Sequence, residues 1–519
     1  MGTSTTKTVM RTQLLSFRRA AVSAVALGVA GSVLLAVSPV SAAPVLPPAP
    51  PGSFIVGADY LGINASGISD ETAPAINKVV GVSGKLEPIF GTIRYWDDPP
   101  AVSTRWCDVQ PTENADIEAN LRQRLDQKLD VAARYDLRRV IIVLGHPAPW
   151  VFGTTPGQPP STTFRPWYCN GEASSVTMPA TEYMYTNGQP ARFTQLWSTY
   201  VSTVIKHISN HFNGKIPFEI DFQTANEPGS SVQLVSTIPN RAETPEEAAR
   251  SLVSMDNVVR YNLRTIPNID RKRFGLLTSP LAAYSIRRPI GVSYWAQANA
   301  AQARSRIYDG VSMQTYSQRR PNVATAVELI QAYNNGSIKG LTAGLSRLPA
   351  LRALPRLQTE TNHGLTLPDG SLLPGKTTIT PADEAVLLSR LIVDGLRWGM
   401  KSQNLYALNP NLKFATGIVE QPNGNFAATL EAAVALLITR SWIVGSRFEG
   451  CTLSAGVWKC TMRNVRTARA SYILFTDSGL PVRVRAPQGT RTMSTVSNDV
   501  TRLAAGARVT VNAAPRLFS

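Results

Sequence analysis

Hydrophobic and polar positions follow two alternating patterns along this chain. Short apolar or β-branched runs predict strands, and each is followed by a longer stretch in which apolar residues recur every three or four positions, as in helices. Alternation of strand and helix implies parallel strands joined by crossover helices, and eight strands are the number of a (β/α)8 TIM barrel. The predicted strands are Phe54–Leu61, Ile89–Trp96, Arg139–Gly145, Phe218–Thr224, Phe274–Thr278, Gly310–Gln314, Arg356–Glu360 and Asn404–Leu408.

Helical spacing is clearest in two of the intervening segments. Leu121, Leu125 and Leu129 recur every fourth residue, and Ala385–Trp398 is a long amphipathic run preceded by a Thr-Pro pair typical of a helix start. An open doubly wound sheet is the alternative architecture. No Gly-rich phosphate-binding turn follows an early strand run, which argues against it.

The pattern changes after a last predicted helix, Ala427–Thr439. The segments "ASYILFT", "LPVRVRA" and "ARVTVNA" alternate apolar and polar residues between turns, which predicts a small antiparallel β-sandwich domain over residues 442–519. Residues 53–441 are then assigned to the barrel. The proline-rich segment 43–52 is predicted to be an extended linker.

Residues 1–42 have the features of a secretory signal peptide. Four basic residues without an acid precede the apolar run Ala20–Val37, and Val40-Ser41-Ala42 fits a cleavage site. An uncleaved membrane anchor is the alternative, because the run is just long enough to span a bilayer. No later segment is apolar enough to do so, and the mature chain is expected to be secreted or cell-wall associated, without a transmembrane segment.

The four cysteines suit an oxidising compartment and permit two disulfides. Cys451 and Cys460 flank two short strand-like runs around a turn, so their bridge would close a hairpin. By elimination, Cys107 is expected to pair with Cys169. None lies in a CxxC or Cys/His pattern, and neither a metal site nor a cofactor is predicted.

Positive charge is concentrated near the carboxyl terminus. The chain has a formal net charge of +17. From residue 441 onward it has eleven Arg or Lys residues and only three acids, Glu449, Asp477 and Asp499. Such a surface either attracts an anionic or cell-wall glycan or is merely solvated. Nucleic acid is not predicted as a partner, since basic and aromatic residues are not interleaved.

Acidic residues end two of the predicted strands. Asn226 and Glu227 follow the fourth run, and Glu360 ends the seventh. Active sites of eightfold barrels lie at the carboxyl ends of the strands, where the fourth and seventh strands face each other across the mouth. Glycoside hydrolysis needs two such groups, one acid to protonate the leaving oxygen and one carboxylate to attack the anomeric carbon.

Several motifs, taken in order, resemble those of retaining glycoside hydrolases of clan A, most closely the family 39-like members. They are "GTIRYWDD", "VIIVLGHPAPW", "TANEP", "YDGVSMQTY" and "LQTETN", followed by "FEGCTLSAGVWKCTM" and "TVNAAPRLFS" in the terminal β region. The resemblance spans about residues 54–519. It implies that Glu227 is the acid/base, that Glu360 is the nucleophile, and that Asn226 holds a sugar hydroxyl beside the reacting carbon.

Five further residues are predicted to bind substrate or to support the acids: Arg94, His146, Trp150, Gln314 and Tyr316. Arg94 and the hydroxyl of Tyr316 would keep Glu360 ionised, although a core ion pair is the alternative for Arg94. His146 and Trp150 are candidates for sugar contact. Gln314 stands where the sixth strand of such enzymes often has His, which implies a different sugar subsite.

The function predicted from these residues is a secreted retaining glycoside hydrolase that cleaves the O-glycosidic bonds of a polysaccharide or oligosaccharide by double displacement. A non-catalytic cell-wall glycan-binding protein on a barrel scaffold is one alternative. A transglycosylase, which would use the same carboxylates, is the other.

Overall fold

The computed structural model describes residues 53–64, 90–95, 102–145, 192–228, 244–282, 288–317, 325–363, 380–406 and 430–519, and the backbone of short strands at 167–169, 172–174, 185–186, 189–190, 237–238, 241–242, 419–420 and 427–428. The predicted signal peptide and linker, residues 1–52, lie outside this part of the chain, as do His146 and Trp150.

Eighteen strands precede residue 445. They are β1 Phe54–Ile55, β2 Leu61–Asn64, β3 Thr92–Tyr95, β4 Arg139–Val143, β5 Trp167–Cys169, β6 Glu172–Ser174, β7 Tyr185–Thr186, β8 Gln189–Pro190, β9 Glu219–Gln223, β10 Thr237–Ile238, β11 Arg241–Ala242, β12 Phe274–Leu276, β13 Leu281–Ala282, β14 Val311–Tyr316, β15 Arg356–Asn362, β16 Met400–Leu405, β17 Val419–Glu420 and β18 Ala427–Ala428, counted over the described residues.

The described α-helices are α1 Trp106–Val109, α2 Ile117–Arg134, α3 Arg192–His211, α4 Pro245–Thr265, α5 Pro289–Ser305, α6 Ala326–Ala332, α7 Ile338–Ser346, α8 Pro349–Arg352, α9 Pro381–Arg397 and α10 Leu430–Ile443. A π-helical turn, Tyr333–Ser337, joins α6 to α7. None of the described helices is long and apolar enough to cross a membrane.

Nine parallel strands form one curled sheet in the order β12-β9-β4-β3-β2-β16-β15-β14-β13. The two strands at the ends of this order are consecutive in the chain. Leu277, just after β12, forms a parallel bridge with Gly310, and the Thr278 N–H donates to the Gly310 carbonyl at 3.1 Å. The predicted parallel α/β architecture is therefore confirmed, and all eight predicted runs contribute residues to this sheet.

The first predicted strand is divided between two sheets. Phe54–Ile55 pairs antiparallel with the strand Ser446–Ser454, whereas Leu61–Asn64 lies in the parallel sheet between β3 and β16. The 3₁₀ turn Ala58–Tyr60 separates the two pieces. A single apolar run thus contributes strands to two sheets, which periodicity alone does not distinguish.

The helices begin where their sequences provide caps. The Asp116 side chain accepts a hydrogen bond from the Ala119 N–H at the start of α2, and Leu121, Leu125 and Leu129 on this helix are fully buried. Thr380 and Asp383 form a capping box at α9, with Pro381 in the first turn. The last helix begins later than predicted, because Ala427–Ala428 pairs with Val419–Glu420 instead.

Residues 446–518 form eight further strands, β19 Ser446–Ser454, β20 Val457–Asn464, β21 Ala470–Thr476, β22 Val482–Arg485, β23 Thr492–Ser494, β24 Val500–Arg502, β25 Arg508–Val511 and β26 Arg516–Phe518. Six of them join β1 in an antiparallel sheet, and β22 and β25 form a separate two-stranded ribbon. Val482, Val484, Val509 and Val511 of the ribbon pack into the same apolar core as Leu474 of β21. Cys451 and Cys460 face each other across β19 and β20 and form the predicted disulfide.

A buried ionic cluster connects this β region to α9. Asp477 accepts hydrogen bonds from Arg397 at 2.9 Å and from the indole of Trp458 at 2.8 Å, and it pairs with Arg390 at 2.5 Å. Arg390 is wholly buried, pairs with Asp394 at 3.2 Å and stacks on Phe475. The β region is therefore fixed to the helix that follows β15 by charged contacts in which the two arginines are buried and the Asp477 side chain is 36% exposed.

Candidate active site

Four neighbouring or facing strands bring five polar side chains together at the carboxyl end of the curled sheet. Arg94 lies on β3, Gln223 on β9 and Glu360 on β15, while Asn64 ends β2 and Asn226 follows β9. All five are at most 5% exposed. Buried polar groups need hydrogen-bond partners, and these residues supply them to one another.

Arg94 is the centre of the group. Its Nε donates to Gln223 Oε1 at 2.7 Å, its Nη1 to Glu360 Oε1 at 2.6 Å, and its Nη2 to Asn226 Oδ1 at 2.7 Å. A longer bond of 3.4 Å joins Nη1 to Asn64 Oδ1. The planar guanidinium thus fixes the predicted nucleophile and the predicted sugar-binding amide in one rigid arrangement.

Both oxygens of Glu360 are engaged by donors. Oε1 accepts from Arg94, and Oε2 accepts from the hydroxyl of Tyr316 at 2.5 Å. Burial, together with the charges of Glu360 and Glu227, raises the pKa of Tyr316 well above its usual value, so the phenol stays protonated and remains a donor. A cation and a hydroxyl at its two oxygens stabilise the ionised carboxylate, which is the form that a nucleophile requires.

Glu227 occupies a different environment from Glu360. It is only half-buried, and its φ of 43° lies in the left-handed region, which non-glycine residues seldom adopt. Such strain is concentrated at functional sites. Since Glu227 and Glu360 both act on the phenol of Tyr316, the turn after β9 places the second carboxyl group in the same electrostatic neighbourhood as the first.

The orientation of the Asn226 amide is set by two donors on one oxygen. Arg94 Nη2 and Gln314 Nε2 both donate to Asn226 Oδ1, at 2.7 and 2.6 Å. The two bonds to the amide oxygen fix the orientation of the Asn226 side chain. Gln314, predicted as a substrate-binding residue, is fully buried and contacts Asn226 directly.

The structure brings six of the eight predicted site residues together: Arg94, Asn226, Glu227, Gln314, Tyr316 and Glu360. His146 and Trp150 lie outside the described residues. Their roles, like those of the other six, stay predictions. Among the described residues, no group of three or more His, Cys, Asp or Glu could hold a metal ion.

Comparisons with known proteins relate this fold to carbohydrate-active enzymes. No family model and no curated protein matches the chain. Among solved structures, it is similar to a family 39 glycoside hydrolase from the gut symbiont Bacteroides cellulosilyticus WH2, with 13% identity, a TM-score of 0.55, and coverage of 89% of this chain and 80% of that one. It is also similar to the catalytic domain of a GH30 xylanase C from Talaromyces cellulolyticus, with 12% identity, a TM-score of 0.51, and coverage of 91% and 98%.

The fold is that of these glycoside hydrolases. The resemblance deduced from the ordered motifs is thereby confirmed at the level of the fold. Identities of 13% and 12% show a shared fold. In this glycoside hydrolase fold, β9 and β15 stand five places apart in the order of the sheet, and each carries one of the two acids at or just beyond its carboxyl end.

Sequence reasoning missed three residues that complete the site. Asn64 donates to the Thr359 carbonyl at 2.9 Å, Gln223 donates to Ser312 Oγ at 2.8 Å, and both contact Arg94. Gln223 and Ser312 each carry a polar side chain inside an apolar strand run. A polar residue within an apolar strand run needs a buried hydrogen-bond partner, so these two positions could have been recognised from the sequence.

Proposed function

We propose that this protein is an exported retaining glycoside hydrolase that cleaves O-glycosidic bonds in a polysaccharide or oligosaccharide. The observation that carries the proposal is the environment of Glu360. A cation and a protonated phenol hold its two oxygens, and the same cation orients the neighbouring amide of Asn226. We further propose that the curled sheet closes as a (β/α)8 barrel through Leu277 and Gly310, followed by a β-sandwich domain.

In the first step, Glu227 donates its proton to the leaving oxygen while Glu360 attacks the anomeric carbon and forms a glycosyl-enzyme ester. In the second step, Glu227 removes a proton from water, which displaces Glu360 and releases a sugar of retained configuration. Asn226 donates a hydrogen bond to the hydroxyl beside the reacting carbon. A retaining mechanism requires the two carboxyl groups to lie about 5 to 5.5 Å apart.

The acids are tested separately with two classes of substrate. Glu227→Ala should slow cleavage far less for an aryl glycoside with a very good leaving group than for a natural linkage, because little protonation is then needed. Added azide should attack the trapped intermediate and give a glycosyl azide of retained configuration. Glu360→Ala should lose activity on both substrates, and azide can give only an inverted product.

Glu219→Ala is the matched control, because this residue lies at the opposite end of the strand that precedes Glu227 and is exposed. It should keep the activity of the parent. Identical responses of Glu227→Ala and Glu360→Ala to leaving group and azide would contradict the assigned roles. Parent protein that binds glycans but turns over no aryl glycoside or wall polysaccharide would instead favour the glycan-binding alternative, and products longer than the substrate would favour transglycosylation.

A further inference from the structure

The two-stranded ribbon of the β region has one apolar and one basic face. The valines of β22 and β25 point into the core, so the alternate residues Arg483, Arg485, Arg508 and Thr510 point outward, and all four are exposed. Arg485 lies opposite Arg508, and Arg483 lies opposite Thr510. Three guanidinium groups therefore share one small outward surface, which we call the arginine face.

No acidic residue in the described part of the chain neutralises the arginine face. Glu449 pairs with Arg463, Asp477 lies in the buried cluster at α9, and Asp499 bonds to Thr495. These are all the acidic residues after position 441. No described residue forms a hydrogen bond or ion pair with the side chains of the arginine face.

The pairing geometry places two of these positive charges directly opposite each other. Ala486 N–H donates to the Ala507 carbonyl, so the adjacent pair, Arg485 and Arg508, occupies a non-hydrogen-bonded position, where facing Cα atoms are only about 4.5 Å apart. Like charges directly opposite each other destabilise a ribbon. An anion bound between the two guanidinium groups would remove that repulsion.

We propose that the arginine face binds a carboxylated polysaccharide and thereby holds a polymeric substrate on the protein, an inference that rests on the proposed glycosidase function. A guanidinium matches a carboxylate with two parallel hydrogen bonds. Single exposed contacts of this kind are weak, so a small anion gains little. A polymer with repeated carboxylates can engage Arg485 and Arg508 across the ribbon and Arg483 about 7 Å further along the strand.

Binding is tested with polygalacturonate as the probe, on the full-length protein carrying Glu360→Gln so that no cleavage occurs. Arg485→Gln/Arg508→Gln removes two charges from the arginine face. Arg466→Gln/Arg469→Gln is the matched control, because it removes two charges from an exposed turn of the same domain. The arginine-face variant should bind about tenfold more weakly, while the control stays within about twofold of the parent. Raising the salt concentration should weaken binding by the parent.

The second measurement is the melting temperature of Arg485→Gln/Arg508→Gln in the absence of polymer. Because the repulsion between Arg485 and Arg508 is removed, this temperature should be equal to that of the parent or higher. Equal weakening in both double variants would mean diffuse attraction by net charge and would overturn the proposal. So would equally tight binding of polyphosphate or of a neutral polysaccharide. Aryl glycoside turnover, measured with Glu360 intact, should be unaffected by the arginine-face changes. Failure of polygalacturonate binding with turnover intact therefore rejects this inference alone, and absent turnover with binding intact rejects only the proposed activity.

Discussion

Replacing Arg94 by Met tests whether the buried guanidinium serves the reaction or only the core. Met has a similar length but no charge, so Arg94→Met removes the cation that donates to the buried Glu360 Oε1 and leaves Gln223 Oε1 without its partner. Breaking one side of a buried ion pair costs about 3 to 5 kcal/mol, and an orphaned buried acceptor costs about 1 to 3 kcal/mol. Because neighbouring effects are not additive, we expect a total loss of about 4 kcal/mol at pH 7.

The assay combines unfolding in urea at pH 7 with a pH–rate profile of the folded protein. The double variant Arg94→Met/Glu360→Gln also removes the charge of the Glu360 carboxylate, which Arg94→Met leaves buried without its cation. It should therefore be more stable than Arg94→Met by about 2 kcal/mol or more. In Arg94→Met itself, the protonated form of Glu360 is favoured. The acidic limb of its activity should therefore move to higher pH, and activity near neutrality should fall.

Arg390→Met is the matched control for this experiment. Arg390 is equally buried and pairs with Asp394 and Asp477 instead of with a site residue. It should lower stability by a similar amount but leave kcat of the folded fraction unchanged. If Arg94→Met also kept kcat and its pH profile, Arg94 would be a core ion pair and not part of the site. If it lost less than about 1 kcal/mol of stability, the energetic reasoning itself would be wrong.

Three further predictions concern other parts of the molecule. Burial alone would raise the pKa of Asp477, but Arg397 and Arg390 outweigh it and lower the pKa from 3.8 to about 2. The ionised carboxylate therefore stabilises the folded protein above about pH 4, and this stabilisation is lost as the pH falls toward 2. In urea unfolding, Asp477→Asn should be less stable than the parent at pH 7 and should not show that loss of stability at low pH. Gln314→Leu removes one of the donors that orient Asn226 and should lower kcat/KM by about tenfold or more. Gln314→His, measured in the same assay, should recover part of the activity. Cys107 is disulfide-bonded, and non-reduced peptide mapping should find it joined to Cys169; another partner would rule out the proposed pairing.

Local patterns predicted the parts of the fold that depend on local forces. Apolar residues at every fourth position predicted α2, whose Leu121, Leu125 and Leu129 are buried, and the Thr380 cap predicted the start of α9. Periodicity could not separate Phe54–Ile55 from Leu61–Asn64, because both pieces belong to one apolar run and both form strands. Only the distant partner of each piece decides the sheet in which it lies, and a single run contains no information about that partner.

The site illustrates the same limit. Glu227 and Glu360 were predictable because a polar residue at a strand end stands out against the apolar run before it. Their supports, Gln223 and Asn64, lie within or at the close of strands and owe their role to Arg94, which is remote in sequence. The left-handed φ of Glu227 is likewise a tertiary outcome, since nothing in the local sequence demands it.

The ion pairs of the cluster at α9 also depend on a part of the chain that is remote in sequence. Arg390 and Asp394 are spaced by four residues, a pairing that on an isolated helix lies on the solvent side and contributes only a few tenths of a kcal/mol. Here both are at most 1% exposed, because the β region covers them and supplies Asp477. A charge buried in this way is costly to separate from its partners, so the β region should stay attached to α9 whenever the protein is folded. The arginine face is then carried on the same rigid unit as β15 and Glu360, and a bound polymer would be held at a fixed distance from the carboxylates proposed to cleave it.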